Sequence, residues 1–190
     1  MMAPVLFSMA TDAWNSARSR AADRREAREL EAFHRPAPEL PLRSTDFRRF
    51  PRSGFGLVYR TGNGTNIDTF QGLVTKDLIG QPDTTIAVAL TDAELDTIYR
   101  KVIQIRLFDW PEPHPPIDNL RSFAFPNTNV WFRVKAGSVE KEFSWNTGWF
   151  FPANTTDDWK RMWELIHMIQ GMIERRPEYK SLPMAQGGYY

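Results

Sequence analysis

The chain of 190 residues contains no cysteine. That absence removes disulfide bridges, thiol nucleophiles and cysteine metal sites together, and it leaves the redox compartment unreadable. Histidine is scarce. His34, His114 and His167 are the whole set, and none has a partner at the spacing of a metal site or a catalytic triad. Long apolar runs are missing too, since no stretch approaches the ~20 residues of a membrane-spanning helix. The glycine pairs Gly54-Phe55-Gly56 and Gly62-Asn63-Gly64 are followed by no phosphate-loop lysine and no helix start, so they read as turn chemistry. The richest local constellation is Asp109-Trp110-Pro111-Glu112-Pro113-His114, in a proline-rich loop. Charged residues in such loops ordinarily serve solubility. The expectation is a protein with no catalytic site, no metal and no cofactor.

Lysine is absent from residues 1–60, which hold 11 Arg against 7 acids; the remainder of the chain is correspondingly acidic, for a whole-chain charge of +1. So even a balance argues against a general polyanion binder, and nucleic acid is not the expected partner. What the chain does have is apolar bulk: 42% of its residues are hydrophobic, with 7 Trp and 13 Phe. That is enough for one core in a chain of single-domain length.

Residues 1–34 read as an apolar tip and an arginine-rich helix. Thr11 caps it, and Ala13 to Phe33 contains neither Gly nor Pro. Arg18, Arg24, Arg25 and Arg28 surround its middle, so it is too polar for a core element and suits docking on a partner. In the tip, Val5, Leu6, Phe7, Met9 and Trp14 are candidates for membrane-surface contact, with the arginines behind them facing anionic lipid on the cytoplasmic side. One such segment gives weak attachment, and stable placement needs a protein partner.

Residues 35–52 form the clearest boundary. Pro36, Pro38 and Pro41 favour an extended strap, made basic by Arg43, Arg48, Arg49 and Arg52 and interleaved with Phe47 and Phe50. Such a composition suits single-stranded nucleic acid or a strap lying on a protein, and the near-neutral charge favours protein.

The globular part is expected over 53–176. Strands are predicted near Phe55–Arg60, from Thr65 through Val74 with a bulge near Gly72, and over Thr84–Leu90. Thr91-Asp92-Ala93-Glu94 is a capping box, so a helix starts there, turns Leu95, Ile98, Tyr99, Val102 and Ile105 or Arg106 inward, and runs to Trp110 before Pro111. A hairpin follows over Asn129 to Trp145, with Val130, Phe132 and Val134 inward and Trp131, Arg133, Lys135, Glu140 and Glu142 on the other, mostly polar face. Thr155 or Thr156 caps the last helix, whose stripe is Trp159, Met162, Trp163, Ile166, Ile169 and Ile173. The order β-β-β-α-β-β-α predicts an α+β fold, an antiparallel sheet of about five strands with two helices on one face. The tail 177–190 is polar and ends in Tyr189 and Tyr190.

The succession from Gly54 to Gly64, the segment Leu90 to Leu95 and the later hairpin with its helix resemble small uncharacterised α+β domains of bacterial exported or membrane-associated proteins. The resemblance covers about residues 53–175. It implies a fold and carries over no catalytic residues.

Polar, extended ends are costly to order alone, at ~1–2 kcal/mol per residue, so their order would be borrowed from neighbours. The expectation is therefore a non-catalytic accessory subunit, peripheral to the cytoplasmic side of a membrane complex such as a respiratory or photosynthetic supercomplex, with a soluble cytoplasmic location as the second choice. Other protein subunits would be its partners, met by the arginines and phenylalanines above, by Trp145 and Trp149, and by Tyr189 and Tyr190. A stand-alone small-ligand or peptide-binding domain, or an RNA- or ribosome-associated protein, are the alternatives.

Overall fold

The computed structural model describes residues 22–111 apart from 23, 26, 29, 33 and 63, then 129–146 and 156–185. Two compact units appear, Met1–Pro36 and Ala37–Tyr190. In the first, the described residues from 22 to 34 are helical and exposed, and Arg35 closes the helix by pairing with Glu31 at 3.6 Å.

The second unit is an α+β fold built on one antiparallel sheet of six strands: β1 (Gly56–Thr61), β2 (Thr65–Asp68), β3 (Leu73–Lys76), β4 (Thr84–Ala87), β5 (Asn129–Ala136) and β6 (Val139–Asn146). Their order in the sheet is β4-β3-β2-β1-β5-β6. Helices α1 (Ser44–Arg49), α2 (Asp92–Gln104), α3 (Asp157–Glu174) and α4 (Pro177–Lys180) complete it, with a 3-10 turn at Leu107–Asp109. The sixth strand arises because the expected run Thr65–Val74 is two strands. Asp68 Oδ1 accepts the backbone N–H groups of Phe70 and Gln71, each at 3.0 Å, and Gly72 takes a φ of +64°, so the chain turns there.

Alternation sets which residues enter the core. Leu57, Tyr59, Ile67, Val74, Val130, Phe132, Val134, Phe143 and Trp145 line one sheet face and meet Ile98, Val102, Met162, Leu165, Ile166, Ile169 and Ile173 of α2 and α3. Each fully buried side chain of this kind contributes ~1.5–3 kcal/mol. Lys141 shares that inner face, and its ammonium is satisfied by donating to the carbonyls of Phe108 and Trp110.

Helix α2 begins as expected, the Thr91 hydroxyl and the Glu94 carboxylate exchanging hydrogen bonds with each other's backbone N–H. It ends earlier than Pro111 required. Arg106 adopts a left-handed φ of +56°, which stops the helix, and the 3-10 turn carries the chain on to Trp110. In α3 the inner stripe turns slightly from the expected one: Leu165 is fully buried, whereas Trp163 is 42% exposed.

The strap differs most from its expected form. Residues 36–43 form neither helix nor strand, and residues 44–49 form α1, which turns Phe47 and Phe50 onto the core. Phe50 stacks on Phe108 at 4.6 Å, and the Tyr99 hydroxyl donates to the Phe50 carbonyl at 2.7 Å. Upstream, the buried Arg161 guanidinium donates to the Pro38 carbonyl from Nε at 3.2 Å and Nη2 at 2.9 Å, while pairing with Asp158 at 2.8 Å.

Candidate functional site

The sheet has a second face, and no described helix or strand covers it. Pairing in register brings its residues together. Arg60 of β1 stands opposite Trp131 of β5, while Val58 stands opposite Arg133, itself opposite Glu142 of β6. The Arg60 guanidinium lies over the Trp131 ring at 5.1 Å, and that of Arg133 lies 5.8 Å from the same ring and 5.4 Å from Phe70. Arg133 also meets Glu140 at 3.5 Å, and its Nε is enclosed with no acceptor among the described residues.

Phe70 reaches this face from the β2–β3 turn, and its seat depends on Gly56, where a Cβ would lie 2.5 Å from the ring. Phe70 is nevertheless 42% exposed. Beside these groups, on the β1–β2–β3 part of the face, is a cavity of about 140 Å³ lined by Val58, Arg60, Asn66, Asp68, Gln71 and Thr75. Among the described residues of this face, three cations (Arg60, Arg133, Lys135) balance three carboxylates (Asp68, Glu140, Glu142).

The structure sorts the expected contact residues. Trp145 is corrected: at 2% exposure it sits edge-to-face on Trp159 at 5.2 Å and offers nothing to a partner. Phe50 is likewise buried, and Phe47 is half-buried against Tyr99 at 5.8 Å, because both close the core from the strap side. Arg49 pairs with Asp109 at 2.7 Å, and Arg52 meets Asp96 at 3.6 Å and the Asp92 carbonyl at 3.1 Å, so these two cations hold the chain's own body. Arg43 and Arg48 are exposed, as are Arg24, Arg25 and Arg28 of the first unit. Val5, Leu6, Phe7, Met9, Trp14, Arg18, Trp149, Tyr189 and Tyr190 lie outside the described residues.

No group of three or more His, Asp or Glu side chains could hold a metal ion among the described residues. His167 is exposed, with Nδ1 3.0 Å from the Trp163 carbonyl, and Asp109 is taken by Arg49. The perturbed acidities belong to structural groups. Burial raises the Tyr59 and Tyr99 hydroxyls, and Asp96 adds to the rise at Tyr99. Burial alone would raise the Glu94 carboxyl too, but the Thr91 hydrogen bonds with Arg176 and Arg175 outweigh it and hold Glu94 below the ordinary carboxylate range.

Alternation placed Trp131 and Arg133 on the outer, mostly polar face; it did not bring Arg60 and Phe70 to them as members of the site. The usable signal was a tryptophan standing among charged residues at alternate positions of one strand. No described helix is long and apolar enough to cross a membrane. No protein-family model matches the chain, and no curated protein matches it, so the role of this face is read from its geometry.

Proposed function

We propose that this protein is a non-catalytic accessory subunit, docked on a larger assembly through the open face of its sheet. The observation that carries the reading is a sheet face that no described helix or strand covers, where Phe70 and Trp131 stand among Arg60 and Arg133. Tryptophan and arginine are the residues that interfaces concentrate, and charged rims around aromatic centres suit a protein partner. Six strands at ~4.8 Å spacing and lengths of four to eight residues give a face of several hundred Å², comparable to the ~800 Å² one partner contributes to a standard interface. Its balanced charge also favours a protein over a polyanion.

The arms take a smaller part in this reading than composition suggested, because the strap from Ala37 to Phe50 is engaged by the body. Exposed arginines of the first unit and the apolar tip before them support a host at the cytoplasmic surface of a membrane. The test is migration of the native protein from its own cells. Wild-type protein is expected to migrate as part of a large species. An Arg60→Glu/Trp131→Ala variant with unchanged circular dichroism is expected to migrate as the free chain. Wild-type protein found only at the size of the free chain would overturn the proposal.

A further inference from the structure

The cavity on the open face is small. At a liquid share of ~30 Å³ per water, about 140 Å³ admits a side-chain-sized group, well below the ~300 Å³ at which whole small-molecule ligands are usually held. Existing hydrogen bonds define what it still offers. Asn66 Oδ1 accepts the Thr61 N–H at 2.7 Å, so its amide N–H groups remain as donors. The Thr75 hydroxyl is engaged with that of Thr85 at 2.7 Å. Asp68 Oδ1 is occupied by the Phe70 and Gln71 N–H groups, leaving one carboxylate oxygen.

Arg60 decides the chemistry. Among the described residues it has no carboxylate partner, and its one contact of note is the Trp131 ring at 5.1 Å. A guanidinium held over an indole is restrained while its N–H edges stay open, and that fork matches a carboxylate through two parallel hydrogen bonds. Arg133 does not compete, being engaged by Glu140 and by two rings. Arg60 and the Asn66 amide therefore offer donors to the cavity, the Gln71 amide offers both a donor and an acceptor, and Asp68 keeps one carboxylate oxygen.

We propose that this cavity receives a carboxylate of the docked protein, an Asp or Glu side chain of the partner paired with Arg60. The inference rests on the docking reading above. Asp68 lines the same cavity and repels any anion, a phosphate dianion more than a singly charged carboxylate, so the pair Arg60 and Asp68 favours the smaller charge.

The test uses the full chain and a blocked peptide, acetyl-Gly-Ser-Glu-Glu-Ser-Gly-amide, followed through the NMR signals of the Arg60 Nε–H and the Asn66 and Gln71 side-chain amides. The Glu peptide is expected to shift these signals, while the Gln counterpart and inorganic phosphate at equal concentration leave them in place. Arg60→Met is expected to weaken binding about tenfold or more, Arg60→Lys less, and Arg133→Met little. Silence toward the Glu peptide, equal response to the Gln peptide or phosphate, or undiminished binding by Arg60→Met would each overturn the carboxylate anchor. Docking itself is judged by cross-linking from residue 70, so the anchor can fail while the docking reading stands.

Discussion

Phe70 occupies the space a side chain at Gly56 would need: a Cβ there would lie 2.5 Å from Phe70 Cε1 and 2.7 Å from Cδ1. Glycine at residue 56 thus seats an aromatic ring on the open face beside Arg133. Gly56→Ala is expected to expel the ring and cost about 1 kcal/mol, the low end for overpacking because Phe70 is half in solvent. Phe70→Ala should cost little by itself and should cancel most of the Gly56→Ala penalty in the double variant, a non-additivity read directly from urea denaturation.

Arg161 latches the strap to α3. Its guanidinium satisfies the Pro38 carbonyl and pairs with Asp158, and its burial makes those partners obligatory. Arg161→Met is expected to lose about 2–3 kcal/mol, with the carbonyl and the carboxylate left behind. Tryptic cleavage after Arg43 should accelerate in the same variant before global unfolding is seen.

Arg106 holds a left-handed conformation that costs an L-residue about 1–2 kcal/mol and glycine almost nothing. Arg106→Gly is therefore expected to stabilise the chain by about 0.5–1 kcal/mol, since it ends α2 at the position where helices prefer glycine. Thermal denaturation checks the sign. A lower midpoint would mean that the arginine stem covers enough apolar surface to offset its backbone.

Glu94 links stability to pH. Its folded carboxyl is held below its unfolded value, so the stabilisation is complete above the ordinary Glu range, ~4.3, and is lost as pH falls through the lower folded value. Glu94→Gln should be less stable than wild type at pH 7. Its stability should also fall less on acidification below about pH 5, as followed by denaturant titration at each pH.

Local rules made several elements legible. The Thr91–Glu94 box announced α2, the pair Thr155 and Thr156 announced α3, where Thr156 is the cap, and strict alternation from Asn129 announced the hairpin and its faces. Other features depended on partners distant in the chain. The Asp68 turn was hidden inside a run with no proline, so one strand was expected where two exist. Phe47 and Phe50, three residues apart, carried a helical signal, but their setting among arginines and prolines drew attention to composition instead. Arg161 stood outside the predicted α3 stripe, and its burial depends on a carbonyl more than a hundred residues away. The site was half readable for the same reason: Trp131 and Arg133 belong to one strand, whereas Arg60 reaches Trp131 only through the β1–β5 pairing.

A photo-crosslinking amino acid placed singly at residue 70 or residue 163, in the native host cells, tests the account most directly. Phe70 and Trp163 are equally exposed at 42%, the first on the open sheet face and the second on the outer side of α3. The account predicts a discrete protein cross-link from residue 70, lost on adding Arg60→Glu, and none from residue 163. A partner captured only from residue 163, or no partner from residue 70 in correctly folded protein, would contradict it.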